Sequence, residues 1–162
     1  MPTLRWQPIA TTLLCLAGLG VSTYLTITHY DTHLVLACPK TTTFNCETVT
    51  TSAQSHILGI PVAVLGLAFF VPMLLLCLPP AWRSDDRRIH LARLALASAG
   101  VGMIIYLIIA ELFLIKAVCL WCTSVHLITF ALFVIVATSS PILLGPDHRV
   151  DPAHPVGSER GR

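Results

Sequence analysis

Four stretches of this chain, residues 8–28, 57–78, 91–115 and 117–138, are apolar and long enough to cross a bilayer, which takes about 20 residues of helix. In hydrocarbon each backbone N–H and C=O must find its partner within the segment or its bundle, so such stretches form helices. Composition agrees: 11% of the residues are charged and 55% hydrophobic, whereas a soluble domain carries roughly 25% charged residues. The sequence therefore predicts an all-α integral membrane protein, a bundle of four transmembrane helices. The net charge of +2 comes without any basic run, so nucleic acid is not an expected partner and membrane lipid is. The first stretch, with Arg5 ahead of it, exceeds the 7–15 residue apolar core of a signal peptide. No small-x-small site follows it, and it reads as a retained helix.

Between the spans lie a polar, Thr-rich loop over residues 30–56, the loop "PPAWRSDDRRIH", and a very short connection around Lys116. The Pro-, Gly- and charge-rich segment 141–162 reads as a disordered tail following a membrane domain over 1–140. Four spans place both termini and the second loop on one side. That side holds Arg5, Arg83, Arg87, Arg88, Arg93, Arg149, Arg160 and Arg162, against Lys40 and Lys116 on the other. Basic residues concentrate on the cytoplasmic side, so the termini and the tail are expected there. The loop between the first two helices, and the third connection, are expected to be extracytoplasmic, where disulfides persist.

Four of the six cysteines fall on that outer side. Cys119 and Cys122 open the fourth span as "KAVCLWC". Residues i and i+3 of a helix share a face, with Cβ atoms about 5–6 Å apart, close to disulfide reach. Unpaired N–H groups at a helix start favour a thiolate, and Lys116 adds a positive charge nearby. Cys38 and Cys46 bracket "PKTTTFN" in the polar loop. A disulfide there would close a short loop, worth about 2–3 kcal/mol, and would lie better for exchange than for stability. Cys15 and Cys77 lie within apolar spans and read as small hydrophobes. Three readings of the outer four remain open: thiol–disulfide exchange, two inert structural disulfides, and a zinc site. A redox relay needs an acceptor. There is no flavin or dinucleotide fingerprint, and Thr123 stands where a haem-binding Cys-x-x-Cys-His would have histidine. A lipid-soluble quinone, entering between helices near Cys122, is the natural candidate.

Small residues Ala97, Ser98, Ala99, Gly100 and Gly102 suit close helix packing on the third span. Glu111, near its outer end, either snorkels to the interface or handles protons. A transporter would want charges in mid-helix, and the spans carry none between their ends.

Two loop cysteines, Ser52 six positions after the second of them, the run "SAQSHILGIPVAVLG" with Gly59, Ile60, Pro61 and Gly66, and a Cys-x-x-Cys opening the last span occur here in that order. Over residues 9–138 this resembles the vitamin K epoxide reductase family in its compact bacterial form. In DsbB-type disulfide oxidases the order of the two pairs is reversed. The resemblance implies a quinone-dependent thiol–disulfide oxidoreductase in the bacterial inner (cell) membrane, supporting disulfide formation in extracytoplasmic proteins. By that resemblance Cys122 faces the quinone, of menaquinone, ubiquinone or vitamin K type, and Cys119 is its resolving partner. Cys46 exchanges with Cys119, and Cys38 with a separate thioredoxin-like (DsbA-like) protein. Ser52 and His126 belong to the quinone site, and no metal is implied. A vitamin K epoxide/quinone reductase and a disulfide-stapled assembly protein stand as alternatives. Ser55, in place of the asparagine of vertebrate members, makes quinone reduction the better-supported chemistry of the two reductase readings.

Overall fold

The computed structural model describes residues 6–31, 33, 36–38, 41, 44–84 and 86–144, the last four as backbone only. The expected tail lies outside them, apart from the backbone of 141–144, which continues the last helix. Among the described residues, three helical runs have the length and hydropathy to cross a membrane. Helix α1 is Gln7–Tyr30. A run of 29 residues, Arg87–Ile115, consists of α5 (Arg87–Ile109) and a π-helical end, Ala110–Ile115. Helix α6 is Leu120–Leu144. The described chain is an all-α membrane protein.

The second expected span is shorter than its apolar run. Helix α3 covers Val62–Cys77, 16 residues, or about 24 Å at 1.5 Å per residue. The residues before it, expected to be helical, form a small antiparallel hairpin, β1 (His56–Ile57) against β2 (Ile60–Pro61). Leu58 and Gly59 turn it with φ of 53° and 80°. Two consecutive positive φ values make the tight turn that matches strand twist, and glycine adopts one without steric penalty. Pro61, lacking an N–H, then stands at the N-cap of α3. The remaining elements are short: α2 (Cys46–Thr50), a 3₁₀ turn (Ala53–Ser55) and α4 (Pro79–Trp82).

Helices α1 and α6 turn many small and polar residues inward, and many large apolar residues face outward. Helix α1 buries Thr11, Cys15, Gly18, Ser22 and Leu25, one stripe at three- and four-residue spacing. Helix α6 buries His126, Thr129, Leu132, Val136 and Ser139 in the same rhythm. Leu13, Phe113, Leu127 and Phe130 point outward. Lipid tails are as apolar as leucine, so nothing drives large apolar groups inward, and close packing selects small side chains at helix contacts. Thr11 and Ser139 donate to carbonyls one turn back, which satisfies their hydroxyls within their own helices. The core proper joins Cys15, Phe70, Met73, Cys77, Ala97, Leu132 and Val136. Cys15 and Cys77 thus sit as small apolar groups where α1 meets α3. Of the small residues on α5, Ala97 and Gly100 face the bundle, whereas Ser98, Ala99 and Gly102 are exposed.

Phe70 lies against Gly18 so closely that a Cβ there would clash with three of its ring carbons, whereas a Cβ on Gly20 would meet nothing. Gly18→Ala is expected to lose about 1–2 kcal/mol of stability in detergent, because overpacking outweighs the roughly 1 kcal/mol gain in helix propensity. Gly20→Ala should be neutral or slightly stabilising, and Phe70→Leu should recover part of the Gly18→Ala loss. Equal melting temperatures for the two alanine variants would contradict this packing.

At the end where α1 begins and α3 stops, Arg93 is 1% exposed. Its sequence marked it as a flanking cation. Instead its Nε and Nη2 donate to the Leu76 carbonyl at 2.9 and 2.6 Å, one of the orphan carbonyls of a helix C-terminus. Its guanidinium lies 4.0 Å above the Trp82 ring, and Trp82 Nε1 donates to Thr11 Oγ1 at 3.2 Å. A buried charge therefore does occur within an apolar run, close to its start.

Candidate active site

At the opposite end of the bundle, the turn from the π-helical segment into α6 takes four residues. It is made possible by Lys116 in the left-handed region, φ 57°. Val118 in that turn pairs in parallel with Phe44 of the first loop, and Asn45 N–H donates to the Val118 carbonyl at 3.2 Å. One residue beyond each contact stands a cysteine. Cys46 begins α2, whose N-cap Asn45 accepts from Thr48 N–H. Cys119 precedes α6. Cys46, Val49, Ala117 and Cys119 form one buried cluster, with Cys38, Trp121 and Cys122 packed on it. The fold thus gathers all four cysteines from segments far apart in sequence. Cys38 and Cys46 form a disulfide with a Cα–Cα distance of 6.1 Å, and Cys119 and Cys122 are free thiols.

Exposure falls from the first cysteine to the third and rises again at the half-buried Cys122. Cys38 is half-buried, Cys46 is 1% exposed and Cys119 0%. The Cys38 segment is held by two aromatic groups. Trp121 Nε1 donates to the Ala37 carbonyl at 2.8 Å, and Ala37 N–H donates to Tyr24 Oη at 3.0 Å. The two rings lie 4.9 Å apart. This grip was not anticipated, although a tryptophan between the two cysteines of "CLWC" was the available signal.

Cys119 caps α6 with sulfur: Cys122 N–H donates to Cys119 Sγ at 3.3 Å, the bond an N-cap side chain accepts from the N3 amide. The Cys122 thiol holds the Cys119 thiol below the usual range, aided by the backbone N–H groups of Cys122 and Trp121 and opposed by burial and the Glu111 carboxylate. The helix start acts on the thiol as expected. The cation does not: Lys116 is exposed, and the charged group beside the pair is Glu111.

Behind the cysteines lies a narrow cavity of about 40 Å³, its wall including Ser52, Gln54, Ser55, Leu107, Glu111 and Cys122. Cys119 is not part of that wall. Ser52 Oγ donates to the Val49 carbonyl at 2.8 Å, which leaves it an acceptor toward the cavity. Ser55 Oγ donates to the Ser52 carbonyl at 2.6 Å and lies 3.1 Å from His56 Nδ1. The structure therefore brings Ser52 and Cys122 together. His126 is buried one turn further along α6 and does not line this cavity. Gln54 was not anticipated, since nothing in a Thr/Ser-rich loop singles it out.

A search of curated proteins finds no significant match. A family model described as "Vitamin K epoxide reductase family" matches residues 9–137. That span runs from the first turns of α1 into the last turns of α6 and takes in both cysteine pairs, the hairpin and the cavity. With most of its length matched and the two pairs gathered at one end of an apolar bundle, this chain belongs to the vitamin K epoxide reductase family.

Proposed function

We propose that this chain is a four-span membrane enzyme that carries electrons from a separate thioredoxin-like (DsbA-like) protein to a lipid quinone, and so supports disulfide formation outside the cytoplasm. Membership in the family supports the coarser statement, a membrane thiol oxidoreductase that uses quinones. The observation that carries the finer reading is the line of sulfurs from surface to cavity: Cys38 half-buried, Cys46 and Cys119 enclosed together, Cys122 at the cavity wall. The exposed Arg83, Arg87 and Arg88 lie toward the other end, near Arg93, which supports cytoplasmic termini and extracytoplasmic cysteines.

A partner thiolate attacks Cys38, the accessible sulfur of the loop disulfide, and Cys46 leaves as thiolate. The partner's second thiol resolves the mixed disulfide, so the partner is oxidised and both loop cysteines are reduced. Cys46 then attacks Cys119 of a Cys119–Cys122 disulfide, and Cys38 resolves that intermediate. The loop pair ends oxidised and the helix pair reduced, which is the pairing described above. Reoxidising the helix pair sends two electrons and two protons to the quinone, which leaves as quinol. The Gln54 amide is a donor type suited to a ring carbonyl, the Ser52 hydroxyl oxygen can accept from a quinol O–H, and Val62, Leu107 and Ile115 offer apolar walls. Small-molecule pockets hold roughly 300–1,000 Å³, so these walls part when a ring enters.

The test uses the purified protein with a short-chain quinone and two donors, a reduced DsbA-like protein and dithiothreitol. Wild type should turn over with both. Cys46→Ala should lose at least ~100-fold with the protein donor and retain dithiothreitol-driven turnover, because a small dithiol reaches the helix pair directly. No wild-type turnover with either a ubiquinone or a menaquinone would sink the enzyme reading in favour of a stapled membrane protein.

A further inference from the structure

Glu111 is a carboxylic residue only 6% exposed, set in an apolar run whose next three residues, Leu112, Phe113 and Leu114, all face outward. Burying a carboxyl in lipid surroundings is unfavourable by several kcal/mol, roughly, unless it is partnered or used. The chain places it deliberately. Residues Ala110–Ile115 are wound as π-helix, a form that occurs mostly as single turns at functional sites. Glu111 continues the inward stripe of α5 after Ala97, Gly100 and Ile104 at three- and four-residue spacing, while Leu112, Phe113 and Leu114 remain toward lipid. There it lines the same cavity as Ser52, Gln54 and Cys122. Its carboxylate lies beside the backbone N–H of Cys119, and it is close enough to act electrostatically on both thiols.

We propose that Glu111 is the proton carrier of this site, taking protons from the Cys119 and Cys122 thiols and delivering them toward the cavity. This rests on the quinone-reductase reading above. Closing the helix disulfide breaks two S–H bonds and forms one S–S bond, which releases two electrons and two protons. The quinone accepts the electrons and forms two O–H bonds. In each of two passes the Glu111 carboxylate accepts one thiol proton and gives it up to an oxygen of the acceptor, ending in the state in which it began. Water is not required in the closed site, and the wall residues other than Glu111 and Cys122 carry no titratable group.

The alternative role is structural, a polar neighbour for the Cys119 amide, and Glu111→Gln separates the two because its amide oxygen can still accept from that N–H. Quinone turnover with dithiothreitol should fall about 100-fold or more in Glu111→Gln, the range for loss of a general acid–base. Glu111→Asp, which still carries a proton, should stay well above it, and melting temperatures should match wild type. A second readout needs no quinone. The infrared difference spectrum between the dithiol and disulfide forms of the helix pair should show a carboxylic C=O band changing in wild type and missing in Glu111→Gln. Wild-type turnover in Glu111→Gln, equal impairment of the Gln and Asp variants, or an unchanged carboxyl band would overturn the proposal. Absence of turnover in wild type is a different result, which removes the parent reading and this one with it.

Discussion

Cys122→Ala is expected to abolish quinone reduction, by at least ~10³-fold, with every donor. Removal of a nucleophile from a unit that acts together costs orders of magnitude, and the other members do not compensate. Cys122 is singled out because its side chain lines the cavity beside Ser52 and Glu111, whereas Cys119 is 0% exposed and does not. The fold should survive, since the substitution removes a single sulfur at a half-buried site; stability should change by less than about 1 kcal/mol. The Cys38–Cys46 disulfide should still form, visible as an unalkylated pair by mass analysis without reductant. Residual turnover within tenfold of wild type would mean that another sulfur meets the acceptor, and the assignment of the two helix cysteines would be reversed.

The largest loss of stability is expected at the other end of the molecule, for Arg93→Ala. The guanidinium supplies two hydrogen bonds to the Leu76 carbonyl, covers the Trp82 face at 4.0 Å and fills a fully enclosed space. Hydrogen bonds from a charged donor contribute about 1.5–3 kcal/mol, and a desolvated cation–π contact about 2 kcal/mol. Truncation also leaves the Leu76 carbonyl without its donor. The expected loss is about 3–5 kcal/mol, in line with breaking other buried charged pairs. Arg93→Lys should recover only part, because an ammonium cannot present the planar fork to one carbonyl while stacking on indole. Unfolding in a graded detergent–denaturant series measures both. A loss below about 1 kcal/mol for the alanine variant would show that the α3–α4–α5 corner does not depend on this tie.

That two such effects arise at opposite ends reflects how differently each end was legible. The cysteine end could be read because Cys-x-x-Cys at the start of an apolar run, and a second pair in a polar loop, are local patterns. Their convergence was not local. It comes from contacts such as Phe44 with Val118 and Trp121 with Ala37, between segments more than seventy residues apart. Arg93 was read only as a marker of sidedness, because charge near the end of an apolar run carries no information about which face it takes. The second span was read too long for a related reason. Hydropathy counts apolar residues whatever their backbone, and it did not register that Leu58 and Gly59 turn the chain with positive φ.

By itself the sequence determined that the chain lives in lipid, that its apolar runs are helical, and which family it resembles. Each of these follows from properties written along the chain: segment length against bilayer thickness, residue type, and the spacing of cysteines, serine and glycines. Tertiary structure alone decided which sulfur is accessible and which are enclosed, that Ser52 and Cys122 share a cavity while His126 lies apart from it, that Glu111 meets the Cys119 amide, and that Arg93 ties α3 to α5. Those are relations between segments distant in sequence, set by how small inward-facing residues let the helices approach, and no local pattern encodes them.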